Sequence, residues 1–246
     1  MGQNTSTVRA VLPLCLLLLY LSSRKWERLR EWAGVFLALL AASGGFLVSW
    51  WLAGPLMKIV GASVENISGV ALAKLFDCLL VVVPVIVIMR WGGVKPSRLF
   101  IRKGKVRLWI IIGGVSFLLF LFLFILQIKQ QNLSYSQVVQ YAPWILIFIL
   151  ANGFLEELHF RGLLLGPFEP LLGRVGANVC IALFFTLTHA PVTYTTDIYK
   201  FLIIVFGLSL AWGWIIQKTE SLWGAVLFHA GSDLLVIMSI FETFKK

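Results

Sequence analysis

Trp144-Ile-Leu-Ile-Phe-Ile-Leu-Ala-Asn-Gly-Phe-Leu-Glu156-Glu157-Leu-His159-Phe-Arg161 is the stretch whose reading decides the fold. Between Trp144 and Leu155 no residue carries a charge, and apolar positions do not alternate with polar ones. A long, unbroken apolar run of this kind reads as a membrane-spanning helix rather than a strand. The run then meets two adjacent carboxylates, with Arg161 four residues beyond the second. A charge at the centre of a span costs ~2.5–3.5 kcal/mol on insertion scales, so ionisable residues there mark function by default.

The rest of the chain agrees with a membrane setting. Apolar residues make up 59% of the 246 and charged residues only 13%, about half the charged share of a soluble domain; mean hydropathy is +0.91. With no water in the bilayer core, the backbone must satisfy itself in helices or a closed barrel. The pattern predicts an all-α, polytopic transmembrane helix bundle of about eight helices. The apolar segments fall near 8–22, 33–57, 70–91, 108–128, 142–165, 174–190, 200–217 and 221–243. The first is short, and is expected to be a retained span because Ser22-Ser23 leads straight into Arg24-Lys25 without a small-residue cleavage site. The opening Met1-Gly-Gln-Asn-Thr-Ser6 fits a myristoylation pattern that is common by chance. Residues 129–141 are polar and amphipathic, and suggest an interfacial helix before the fifth span.

The net charge of +10 does not point to nucleic acid. Its basic residues gather in two short connections, Arg24, Lys25, Arg28 and Arg30 in one, and Lys95, Arg98, Arg102, Lys103, Lys105 and Arg107 in the other. The intervening connections carry little, so the two basic ones are expected in the cytoplasm. Cys15, Cys78 and Cys180 all lie in apolar runs and form neither a disulfide framework nor a metal-type pair. The expected location is the cytoplasmic membrane of a prokaryote, as a multi-pass protein whose surroundings are the lipid bilayer.

Few polar groups interrupt the spans. On a helix Glu157 and Arg161 share a face, while Glu156 is turned ~100° away and stands one turn after Asn152. Arg161 can therefore neutralise Glu157 and leave Glu156 free. Phe185 and His189 are four apart at the end of the sixth segment, and His229 and Asp233 are four apart inside the eighth. Lys74 and Asp77, three apart, read as an intrahelical pair. His159 reaches the Glu156 face and is left outside the expected site.

Together these residues resemble the CPBP family of intramembrane endopeptidases, which includes the type II CAAX prenyl proteases. Glu156-Glu157 with Arg161, Phe185 with His189, and His229 with Asp233 follow the family's three motifs in order, and the likeness covers about residues 142–236. The resemblance implies a division into 1–141, with about four helices and the basic loops, and 142–246, a catalytic core of about four helices. It also implies hydrolysis of a peptide bond in a membrane-embedded or lipid-linked protein or peptide. Glu156 would be the base that activates water, with Glu157 and Arg161 as structural support. His189 would orient the water, and His229 and Asp233 would stabilise the oxyanion. Cofactors are not expected, although Glu156, His189 and His229 also make a His₂Glu set of the zinc type. The other readings of the same residues are a non-proteolytic immunity or scaffold protein of this fold, and a proton-coupled transporter. Straight helices create one conflict: with a fifth span beginning near Pro143, Glu156 and His189 fall at different depths. A bend near Gly153 or a sunken 191–199 loop would reconcile them.

Overall fold

The computed structural model describes residues 2–130, 134–192, 195 and 197–243. Met1, which opens the myristoylation-like pattern, and residues 193, 194 and 196 of the 191–199 loop lie outside them. Among the described residues eight α-helices follow one another: α1 (Gly2–Lys25), α2 (Ala33–Ile59), α3 (Ile67–Trp91), α4 (Val106–Gln130), α5 (Tyr135–Glu157), α6 (Leu163–Thr188), α7 (Ile198–Thr219) and α8 (Trp223–Thr243). There is no strand among the described residues. Six helical stretches are long and apolar enough to cross a membrane; one of these, Tyr135–Thr188, holds two of the expected segments, and Trp223–Ile237 adds a shorter apolar helix. The chain is an all-α polytopic membrane protein.

Helix α5 is the centre of the bundle. It packs between α3 and α8, which in turn carry α2 and α4 on their outer sides; α1 lies on α2, and α6 pairs with α7. Lipid tails are as apolar as leucine, so close packing rather than water exclusion must hold such helices together. Small residues allow it. A Cβ on Gly113 of α4 would stand 2.7 Å from the Gly224 carbonyl oxygen, and one on Gly45 of α2 2.9 Å from that of Val81. The largest buried cluster joins Leu155, Leu158, Leu163, Leu165, Phe185 and Ile216 around the lower half of α5.

Two local departures from regular helix set the site. Residues Leu158–Gly162 form one π-helical turn between α5 and α6, so the chain from Tyr135 runs on as a helix past the expected end of the span. Gly173 (φ 69°, ψ 168°) then reverses the direction within α6, a backbone conformation open essentially to glycine alone. The turn is stapled to α7: Arg174 Nη2 donates to the Gln217 carbonyl at 2.7 Å, while Gln217 Nε2 donates to Glu169 at 2.7 Å and to the Arg174 carbonyl at 2.8 Å.

These features remove the conflict in depth. Glu156 precedes Gly173, and His189 follows it, by nearly the same number of residues, ~24–26 Å of helix on each side at 1.5 Å per residue. The two therefore return to one level. No bend at Gly153 is involved. That residue instead lets α5 approach α8, where its Cβ would meet the Val226 carbonyl and the Ala230 nitrogen, each at 3.2 Å. The amphipathic stretch also differs from expectation. Its described part from Tyr135 onward is the first two turns of α5, not a separate interfacial helix.

Candidate active site

Glu156 and Glu157 diverge as their helical positions require. Glu157 is fully buried and accepts from Arg161 Nη1 at 2.9 Å. Arg161 is also fully buried. Its Nη2 donates to the Ser209 carbonyl at 3.2 Å and to the Ser209 hydroxyl, which tie it to α7. The guanidinium carbon lies 4.5 Å from the Phe185 ring centre and 5.2 Å from that of Trp212. Cation–π contacts and hydrogen bonds thus clothe a charge that apolar surroundings would otherwise expel.

Glu156 instead borders a cavity of about 1240 Å³. Its side chain is 20% exposed, and Oε2 lies 3.5 Å from His229 Nε2 and 4.0 Å from His189 Nε2. This oxygen has no hydrogen-bond partner among the described residues. The two histidines come from different helices, and each is held through its other ring nitrogen. His189 Nδ1 donates to the Phe185 carbonyl at 2.9 Å, which leaves Nε2 of the neutral ring as an acceptor facing Glu156. His229 Nδ1 donates to Glu157 Oε1 at 2.8 Å, and Trp212 stacks on its ring at 4.0 Å and 2°.

Asp233 stands one turn beyond His229, with Oδ1 3.7 Å from His229 Nε2. Its Oδ2 accepts from Asn152 Nδ2 at 2.9 Å. All six residues singled out in the sequence, Glu156, Glu157, Arg161, His189, His229 and Asp233, are therefore gathered in one region. The spacing arguments found pairs along each helix. They did not find the cross-helix hydrogen bond by which Glu157 rather than Asp233 holds His229 Nδ1.

Ser209 and Trp212 were also missed. Both lie on α7, which carries no charged residue between Lys200 and Lys218 to draw attention. Their only sequence signal is a three-residue spacing on one helical face. His159 is buried against Phe46, with ring centres 4.4 Å apart, and its Nδ1 has no partner among the described residues. Asp77 accepts from Ser49 Oγ at 2.6 Å rather than joining Lys74 in an ion pair; Lys74 lines the cavity. Among the described residues, no three His, Cys, Asp or Glu side chains are placed to hold a metal ion together.

Residues 138–235 match the family model of the type II CAAX prenyl endopeptidase Rce1-like proteins. This segment is similar to the CPBP/CAAX protease family. The match spans α5 to α8 and contains every residue of the site, although it covers less than half of the chain. No curated protein and no solved structure matches the chain. With six helical stretches able to cross a membrane among the described residues, the chain is a multi-pass membrane protein. Helices α1 to α4 lie outside the match, yet α1, α2 and α3 contribute walls to its cavity.

Proposed function

We propose that the protein hydrolyses a peptide bond in a membrane-associated protein, using a water molecule activated by Glu156 and no metal. The observation that carries this reading is the position of Glu156 Oε2 near the Nε2 atoms of both His189 and His229, beside a largely apolar cavity that Glu156 helps to line. Separations of 3.5–4.0 Å are too long for direct hydrogen bonds and suit groups that act on a molecule lying between them.

A water there gives one hydrogen to Glu156 and the other to the acceptor nitrogen of His189. Its oxygen attacks the carbonyl carbon of the substrate while Glu156 takes the proton. The carbonyl π electrons move to oxygen, and His229 Nε2, when the ring holds both protons, donates to that oxyanion. Collapse re-forms the carbonyl, breaks the C–N bond and returns the proton from Glu156 to the departing amine. Glu157 fixes the ring of His229, and Arg161 holds Glu157 in place. Asp233, pinned by Asn152, contributes a carboxyl group beside the oxyanion position.

Glu156→Gln keeps the shape and removes the base. Loss of general-base catalysis lowers rates by about 10²–10⁴-fold, and His229→Ala, which removes an oxyanion donor, by about 10²–10³-fold. The test is cleavage of a membrane-embedded fluorogenic peptide by purified protein in detergent. Full cleavage by both variants sinks the proposal. Stimulation of a chelator-treated sample by added zinc would refute the metal-free form.

A further inference from the structure

His159 differs from the two histidines beside Glu156 in how its ring is held. His189 Nδ1 donates to the Phe185 carbonyl and His229 Nδ1 to Glu157. His159 makes no hydrogen bond among the described residues, although it is only 7% exposed and its Nδ1 is enclosed. Packing alone fixes the ring. The Phe46 ring of α2 lies 4.4 Å away, centre to centre, and that of Phe160 5.2 Å away. Phe160 in turn packs edge-on against Phe185 at 4.9 Å, and the Phe185 carbonyl orients His189. One chain of aromatic contacts therefore fixes His159 relative to the site.

A buried polar group without a partner is destabilising, and a phenylalanine ring would fill the same space without that cost. Such groups mark strain, a bound molecule or a chemical role. Two further observations favour the last two. His159 lies in the π-turn Leu158–Gly162, and single π-turns inside helices recur at functional sites. It also lines the cavity together with Glu156, three residues before it. Residues three apart on a helix have Cβ atoms ~5–6 Å from each other. That is the length of about one to two residues of extended peptide at ~3.3 Å each.

The tautomer follows from the enclosure. A neutral imidazole carries its proton on one nitrogen and accepts at the other. Buried N–H groups without an acceptor are rarer than unmet acceptors, so the proton belongs on Nε2 and the enclosed Nδ1 is left bare. Nε2–H is then a donor on the part of the ring that borders the cavity.

We infer that His159 is a substrate-recognition residue, whose Nε2–H donates to a main-chain carbonyl oxygen about one to two residues from the bond that is cut. The inference rests on the protease reading and adds a contact to those of Glu156, His189 and His229. The cavity walls are largely apolar, so a peptide lying there has its carbonyl groups stripped of water and gains from each donor placed along it.

The experiment follows cleavage, by the purified full chain in detergent, of a peptide series in which one amide at a time, never the scissile one, is replaced by an alkene isostere. The isostere keeps the extended shape and has no carbonyl oxygen. His159→Phe keeps the ring packing and removes both nitrogens, whereas His159→Gln retains an N–H donor. On the all-amide peptide His159→Phe should lower kcat/KM by about 5- to 100-fold, and His159→Gln by less. On the peptide whose alkene faces His159, wild type and His159→Phe should cleave alike. The unfolding temperature of His159→Phe should equal or exceed that of wild type, because the unmet nitrogen is gone. If His159→Phe does not fold, His159→Leu takes its place in the same comparison. A wild-type rate for the variant on the all-amide peptide overturns the inference. A loss by one common factor on every peptide also overturns it, and assigns His159 to packing alone. Cleavage that is lost with Glu156→Gln establishes the protease reading separately. If the wild-type chain cleaves none of the peptides, that reading falls and the inference with it.

Discussion

Replacing Arg161 by methionine removes the cation at the heart of the site while keeping much of its volume. The guanidinium is fully buried, joined to Glu157 at 2.9 Å and to the Ser209 carbonyl at 3.2 Å, and it lies against the rings of Phe185 and Trp212. Without it, Glu157 remains buried with His229 as its polar neighbour. Breaking a buried pair from one side costs about 3–5 kcal/mol, because an uncompensated charge is left behind. At 1.4 kcal/mol per decade that is a loss of about 10²–10³·⁵ in the folding equilibrium. Adding Glu157→Gln removes the stranded charge, so the double variant should be more stable than Arg161→Met alone. The coupling energy should reach about 2–3 kcal/mol, near the upper end seen for directly interacting residues. The four chains of the cycle are compared by thermal unfolding in detergent, followed by tryptophan fluorescence. The double variant should fold yet cleave slowly, because His229 Nδ1 has lost its carboxylate. Additive effects, or an Arg161→Met protein as stable as wild type, would refute the assignment of Glu157 and Arg161 as the structural pair.

Three further outcomes are expected. Gly173→Ala forces a β-carbon into a glycine-only conformation; it should cost about 1–3 kcal/mol and lower kcat by displacing His189, both measurable on the purified protein. Trp212→Ala removes the ring stacked on His229 and should destabilise by about 3–5 kcal/mol, whereas Trp212→Phe should recover most of the unfolding temperature. Asn152→Ala deprives the buried Asp233 of its 2.9 Å donor and should cost about 1–3 kcal/mol in stability. A cleavage rate and Tm equal to wild type would show that the contact is incidental.

The spans were legible because hydrophobic run length is a direct image of bilayer thickness; α2, α3, α4 and α7 begin and end within a few residues of their expected positions. The division between Glu157 and Glu156 was legible too, because a helix turns consecutive residues to different faces. What could not be read was anything that depends on where one helix stands against another. The π-turn at Leu158–Gly162 leaves no mark that a hydropathy count detects, and Gly173 looks like any glycine between two apolar segments. Both were needed to place Glu156 and His189 at one depth. Ser209 and Trp212 were invisible for a related reason. They matter only because α7 lies beside the buried guanidinium and the His229 ring, and no local pattern announces a neighbour.

The two carboxylates answer the cost of charge in a membrane in opposite ways. Glu157 is enclosed: its Oε1 accepts from both Arg161, which supplies the countercharge, and His229, and no side-chain surface is left to solvent or substrate. Its Oε2 has no hydrogen-bond partner among the described residues, but a carboxylate with no exposed surface cannot be reached by a new molecule. Glu156 also keeps an unbonded oxygen, with both nearby nitrogens beyond hydrogen-bond reach, but its side chain is 20% exposed and borders the cavity. That access to the cavity is what a base requires. The compensated pair makes it tolerable, because Arg161 and Glu157 together fix His229 without adding net charge beside it. On the proposed mechanism, stability is thus invested in the residue that does not react, and Glu156, the proposed base, is left facing the cavity.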